Sequence, residues 1–186
     1  MSVSLEMAKK TLPPKLETTR LVLRRPRLSD ALEIFRNYAS DAEVTRYLTW
    51  KPDASVAEVK RIIRQILEAQ ALDAQLDWAI TRRGKDSVIG MISLRFEKHR
   101  AEAGYVLAKS EWGQGYMTEA LRAVVDFAFS LPNIYRVAAI CDTENRASAR
   151  VMEKAGMTLE GRLRRFTVHP NVSDEPRDVY CYAKTR

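Results

Sequence analysis

The chain is poor in the residues that mark several common classes of protein. Its 186 residues include two cysteines, Cys141 and Cys181, too few for a disulfide framework and without the paired spacing of a structural zinc site. Both are read as small buried thiols of a reducing, cytoplasmic setting. The two histidines, His99 and His169, form no ligand motif and have no clear acidic partner, so both are read as loop or strand-end residues and no metal is expected. Apolar runs are short as well. Even the most hydrophobic helical stretch is interrupted by Arg122 and Asp126, so no segment is expected to span a bilayer. Residues 1–15 have no long apolar run before Pro13 and Pro14, and no signal peptide is expected there. Internal repeats, low-complexity tracts and linkers are absent, which leaves an extension over residues 1–15 and one mixed α/β domain over residues 16–186.

What the chain has in quantity is positive charge. It carries 31 Lys and Arg against 24 Asp and Glu, a formal net charge of +7, with a pI near 9.5. Arg20, Arg24, Arg25 and Arg27 gather near the start, and Arg162, Arg164 and Arg165 near the end. Such charge serves either as solvated surface or as contact for phosphorylated and acidic partners. No RNA-recognition motif accompanies it, so direct sequence-specific nucleic-acid binding is not expected. A hydrophobic content of 46% suits a globular chain large enough for a single core.

In chain order, residues 21–24 read as a strand closed by Pro26, after which Ser29 caps a helix whose apolar stripe is Leu32, Ile34 and Phe35. A polar and aromatic connection follows. Ser55 and Glu58 then make a capping box for a long helix ending near Ala71. Residues 78–82 and 88–96 alternate as strands around the hairpin turn Arg83-Gly84-Lys85-Asp86. Residues 135–141 form a buried strand, and residues 145–155 a short helix with Gly156 as its C-cap. Residues 159–168 and 177–183 close the chain as a hairpin.

The chain is organised around residues 101–131, a strand, a glycine-bearing turn and an amphipathic helix with Met117, Ala120, Leu121, Val124, Val125, Ala128 and Leu131 on its apolar face. Gly113 and Gly115 flank Gln114 where the helix begins. Unpaired N–H groups at such an entrance suit a phosphate or pyrophosphate, although an ordinary tight turn has the same signature. The stretch has no G-x-x-x-x-G-K-[ST] and lacks the third glycine of a dinucleotide fingerprint, so both of those nucleotide sites are excluded.

The ordered motifs W-G-Q-G-Y-M-T-E-A, the preceding A-E-A-G-Y-V-L and the later D-T-E-N-R-A-S-A-R-V-M-E-K-A-G-M resemble the GNAT superfamily of acyl-CoA-dependent N-acyltransferases. The opening L-E-T-T-R-L-V-L-R-R-P-R is similar to the first strand of the RimJ/RimL-like branch, whose named members acetylate N-termini of ribosomal proteins. The resemblance implies an α/β fold with a mostly antiparallel central sheet of about seven strands, splayed at the CoA site and flanked by helices. Cys141 and Cys181 would then lie on neighbouring strands and could approach each other. Monomers and homodimers both occur in the family.

By the same resemblance, the backbone of Tyr105, Val106 and Leu107 pairs with the pantetheine of acetyl-CoA, and the amides of Gly113, Gln114, Gly115, Tyr116, Met117 and Thr118 cradle its pyrophosphate. Two positions depart from the superfamily pattern. Trp112 replaces the usual Gln or Arg, and Met117 replaces a small residue, making the turn less roomy. The tyrosine that many members place seven residues after the asparagine is here Met152. Ser148 is the nearest hydroxyl able to serve the departing sulfur, or else a small packing residue, while Asn145 binds pantetheine, orients the acceptor or simply caps its helix. Glu102 is the candidate base, with a surface glutamate at a strand end as the plain alternative. Tyr47, Trp50 and Asp178 are candidate acceptor contacts, with packing, or for Asp178 an arginine ion pair, as the plain alternative.

Direct attack of an amine on the thioester is expected, because neither cysteine has a recognisable histidine partner. Presenting a neutral amine at pH 7 costs about 1 to 1.4 kcal/mol for an α-amine and about 4 to 5 kcal/mol for a lysine. The weaker amine suits this site better, so the expected acceptor is a protein N-terminus, such as that of a ribosomal protein. A small-molecule acetyltransferase acting on an amino acid, polyamine or antibiotic, and a non-catalytic CoA-binding or ribosome-associated module, are the alternatives.

Overall fold

A computed structural model of the chain describes residues 15–71 and 75–186. The expected N-terminal extension lies outside the described residues except for Lys15.

Eight strands form one sheet: β1 (Lys15–Glu17), β2 (Leu21–Arg24), β3 (Gln75–Arg82), β4 (Val88–Glu97), β5 (Arg100–Leu107), β6 (Arg136–Asp142), β7 (Thr158–Val168) and β8 (Pro176–Thr185). Their spatial order is β1-β2-β3-β4-β5-β6-β8-β7. Every pair is antiparallel except β5 with β6. The additional strand is β1, a three-residue edge segment paired to β2 from Lys15↔Arg24 to Glu17↔Val22.

Among the described residues, five α-helices cover the sheet. On one face, α1 (Ala31–Ile34), α2 (Ala42–Thr45) and α3 (Val56–Ala71) bury Ile34, Val44, Val59 and Ile63 against Ala79 and Val88, with Tyr38 of the segment Phe35–Ala39 beside them. On the other, α4 (Tyr116–Ser130) and α5 (Arg146–Lys154) bury Leu121, Val124, Val125 and Met152 against Leu23, Ile80, Ile92 and Val137. The α4 stripe read from the sequence is this buried face. None of the described helices is long and apolar enough to cross a membrane.

Local chemistry accounts for the element ends. Ser55 Oγ accepts from Glu58 N–H at 3.2 Å, while Glu58 reaches back to Ala54 N–H at 3.0 Å. The entry to α1 differs from expectation. Ser29 sits inside a 3-10 turn, and Asp30 takes the ordering role, accepting from Arg27 N–H at 2.7 Å and from both terminal nitrogens of Arg24 at 2.9 Å. A buried carboxylate with a bidentate arginine fixes the turn more firmly than an exposed hydroxyl. Leu32 consequently points outward. Gly156, at φ +86°, ends α5, with Met157 N–H bonding Met152 carbonyl at 3.0 Å as a left-handed cap requires. Gly90 serves packing, because a Cβ there would stand 2.4 Å from Val106 carbonyl oxygen.

Cys141 and Cys181 do not face each other. Cys141 is opposite Tyr180 and Cys181 opposite Ile140, so the two thiols project from opposite faces of the sheet. Both are free.

Candidate active site

The sheet opens between its two parallel strands. β5 and β6 pair only from Arg100↔Arg136 to Glu102↔Ala138. Beyond that, β5 stays with β4 as far as Leu107↔Gly90, and β6 stays with β8 as far as Asp142↔Val179. Ala108 N–H bonds Ile89 carbonyl on β4 at 2.8 Å. Strand alternation therefore turns the Val106 backbone toward β4 and the Tyr105 and Leu107 backbones into the opening. This corrects the expectation for Val106, whose backbone is committed to the sheet. Trp112 adds a contact of its own, its indole N–H donating to Leu107 carbonyl at 2.9 Å.

The turn into α4 lies at the mouth of this opening. Gly113 and Gly115 adopt φ of +75° and +78°, a region that favours glycine. No side chain caps the first turn of α4, so the Tyr116, Met117 and Thr118 N–H groups are free of helical carbonyls. The Met117 side chain enters the core, so it does not narrow the turn as the sequence implied.

Arg20 pins this turn from the β1–β2 connection. Its guanidinium donates to Gln114 carbonyl at 2.9 Å and to Glu119 at 2.6 Å, and lies 4.6 Å from the centre of the Tyr116 ring. Glu119 also accepts from Arg20 N–H at 2.8 Å and Thr18 hydroxyl at 2.6 Å. Burial works against the charge on Glu119, but these donors hold its carboxyl below the usual range. Arg20, Arg122 and Lys154 border the adjoining depression together with Glu119 and Asp126, so charges of both signs lie beside the cradle of backbone N–H groups. An extended, phosphorylated ligand fits this arrangement, its chain along the exposed β5 edge and its phosphates at the turn.

Further along the opening, Tyr105 hydroxyl lies 2.8 Å from Ser148 Oγ. Ser148 N–H donates to Asn145 Oδ1 at 3.1 Å, so Asn145 is the side-chain cap of α5. The Cys141 thiol is pushed up to about 11 by burial, and secondarily by Asp142. A thiol so held is a poor nucleophile. Met152 is fully buried and serves packing.

The opposite face of the sheet carries Glu102, Tyr47 and Trp50, whereas Asp178 shares the face of Tyr180 and Tyr182, which pack with α4 and α5. Ala101 and Ala103 enter the core beneath α4, so Glu102 between them projects to the α1–α3 side, where it is exposed. Trp50 is half-buried against the core beneath α1–α3, and Tyr47 lies under the Arg46 guanidinium at 5.2 Å. Asn171 fastens the β7–β8 loop to this region, donating to Thr45 and Trp50 carbonyls at 2.8 and 2.7 Å. Asp178 accepts from Arg165 N–H at 2.8 Å and Arg162 Nε at 2.6 Å. Those two donors, with the backbone bond the larger influence, hold its carboxyl below the usual range. The arginine-pair alternative describes it.

One cluster was not legible in the sequence. Asp142, buried at the end of β6, accepts from Arg177 Nε at 2.6 Å and Glu144 N–H at 2.9 Å, with His169 Nε2 at 3.7 Å. His169 is 4% exposed, and neither ring nitrogen has a hydrogen-bond partner among the described residues. The histidine read as a strand-end residue thus has a buried carboxylate beside it. Only the fold joins them, and no spacing rule would have found the pair.

Residues 20–158 match the family described as Acetyltransferase (GNAT) domain. The chain is 34% identical to the uncharacterized N-acetyltransferase YoaA of Bacillus subtilis, over 93% of this chain and 98% of that protein. It is 33% identical to the uncharacterized N-acetyltransferase p20 of Bacillus licheniformis, over 81% and 86% respectively, and 23% identical to the spermidine N(1)-acetyltransferase of Escherichia coli, over 75% and 74%. Among solved structures, a GNAT-family acetyltransferase from Bacillus anthracis superposes with a TM-score of 0.79 at 26% identity, covering 92% of this chain and 98% of that one. RimL, a ribosomal L7/L12 α-N-protein acetyltransferase in complex with coenzyme A, gives a TM-score of 0.81 at 22% identity, with 92% and 97% covered.

Proposed function

The chain belongs to the GNAT acetyltransferase family and is an acyl-CoA-dependent N-acetyltransferase, and from that premise we propose that its acceptor is a protein N-terminal α-amine. The observation that carries this reading is the state of the carboxylates on β6 and β8. Asp142 and Asp178 are already engaged by Arg177 and Arg162, so a polycation would have to displace arginines to find partners there. A single weakly basic amine needs one nearby base, and the exposed Glu102 supplies it. This argument favours a peptide α-amine over a polyamine.

In this reading acetyl-CoA supplies the activated thioester. The Tyr105 and Leu107 backbones bind its pantetheine as an added strand, and the N–H groups of residues 113–118 hold the pyrophosphate in a turn fixed by Arg20. Asn145 keeps α5 in register beneath the opening, and Ser148 presents a hydroxyl to the sulfur. Glu102 takes the proton released by the amine, directly or through water. Tyr47 and Trp50 line the approach of the acceptor. Residues 16–186 act as one catalytic domain.

The test is thiol release from acetyl-CoA with peptides bearing free or blocked α-amines and with spermidine. Release that requires a free peptide α-amine is expected. Release with spermidine alone would move the function to the second reading, small-amine acetylation, which the spermidine acetyltransferase relative favours.

A further inference from the structure

The position that carries a proton-donating tyrosine in many relatives is Met152 here, fully buried and without a proton to give. A phenol reaches the same neighbourhood from another element. Tyr105 projects from β5 beneath α5, and its hydroxyl lies 2.8 Å from Ser148 Oγ and 3.3 Å from Ser148 carbonyl oxygen. The shorter contact has the usual O–H···O length, whereas the longer one is outside it. Desolvation pushes the phenol up, far above neutrality, so Tyr105 always holds its proton. Either hydroxyl can be the donor of that contact; with the phenol donating, the Ser148 proton is left free to point elsewhere.

We propose that Tyr105 is a positioning residue of the acyl-transfer step: its phenol fixes the rotation of the Ser148 hydroxyl and aims that proton at the departing sulfur of the acyl donor. The inference rests on the acyl-CoA reading of the β5–β6 opening. When the carbon–sulfur bond breaks, its electron pair stays on sulfur and the Ser148 O–H hydrogen-bonds it. The amine's proton goes to Glu102 and from there to solvent, and the departing thiolate takes its proton from solvent. Tyr105 and Ser148 end as they began, so no residue needs recharging between turnovers. A buried phenolate is avoided, as the raised acidity limit of Tyr105 requires.

The inference is tested on the bound cofactor without an acceptor. The thiol of CoA in complex with the full chain is titrated by thiolate absorbance, with the CoA-free protein subtracted, for wild type, Tyr105→Phe, Ser148→Ala and the double variant. Phenylalanine keeps the ring that packs against the core, and the melting temperature of the complex reports whether the fold is retained. A neutral hydrogen bond contributes roughly a three- to tenfold effect, so the bound thiol is expected to titrate about 0.5 to 1 pH unit higher in Tyr105→Phe. In the Ser148→Ala background the same change is expected to do nothing. In turnover assays kcat falls by the same three- to tenfold factor, roughly, while KM for acetyl-CoA is unchanged.

A Tyr105→Phe complex titrating as wild type, while Ser148→Ala is shifted, overturns this inference and leaves the serine reading standing. Equal shifts from Tyr105→Phe with and without Ser148 overturn it as well, since the phenol would then act independently. An unshifted Ser148→Ala complex overturns both, and failure of wild type to bind CoA overturns the reading of the opening beneath them.

Discussion

Replacing Glu119 by alanine removes the latch between the β1–β2 connection and the turn into α4. The carboxylate accepts from Thr18 hydroxyl at 2.6 Å, Arg20 N–H at 2.8 Å and Arg20 Nε at 2.6 Å. Hydrogen bonds to a charged group contribute about 1.5 to 3 kcal/mol each when sheltered. The Arg20 side chain is 45% exposed, so solvent screening reduces its share to about 0.5 to 1 kcal/mol. Allowing for overlap among three donors on one carboxylate, the loss is about 2 to 3 kcal/mol. At about 2 to 4 °C per kcal/mol for a chain of this size, the melting temperature should fall by about 4 to 12 °C. Gln114 carbonyl loses a well-placed Arg20 at the same time, and CoA affinity should weaken about tenfold, or 1.4 kcal/mol.

Calorimetric melting and CoA titration of wild type and Glu119→Ala read both effects. The pH dependence follows from the direction of the shift: a carboxyl held below its usual range stabilises the fold above about pH 4.3, the value for an unfolded glutamate, and loses that contribution as pH falls through its folded value. The difference between the two proteins should therefore close in acid. Equal melting temperatures and equal CoA affinities at neutral pH would refute the latch.

Gly115→Ala should cost about 1 to 2 kcal/mol by forcing a Cβ into a left-handed backbone at φ +78°, seen as a lower denaturation midpoint together with weaker CoA binding. Glu102→Gln should lower kcat about 100-fold with a peptide acceptor while leaving CoA affinity intact; an unchanged kcat would remove Glu102 from the chemistry. Asp142→Asn leaves Arg177 without its buried carboxylate, and with that arginine 23% exposed the loss should be about 2 to 3 kcal/mol. Burial opposes the charge on Asp142, but Arg177 and Glu144 N–H keep its carboxyl below the usual range. The destabilisation by asparagine should accordingly be full at neutral pH and vanish in acid, as melting curves across pH would show.

Short-range signals carried much of the fold. The hairpin around Gly84, the α4 stripe, the Ser55–Glu58 box and the Gly156 cap depend on residues a few positions apart, and each stands where local chemistry put it. β1 was missed because three residues on a sheet edge carry no period of their own. Ser29 lost the cap to Asp30 because the deciding partner, Arg24, binds through its side chain rather than along the helix. The same limit applies at the site. The glycine turn was legible, but Arg20 lies 94 positions from the Gln114 carbonyl it binds, and Tyr105 lies 43 from Ser148. Strand parity, which commits Val106 to β4 and sends the two cysteines to opposite faces, depends on register, and register is set by the partner strand.

Mass spectrometry of peptides incubated with the chain and acetyl-CoA tests the central claim most directly. One acetyl group on the N-terminus of a free peptide, and none on the same peptide with a blocked N-terminus and a free lysine, is the predicted result. Acetylation of spermidine or of the lysine, with the free N-terminus untouched, would contradict the account.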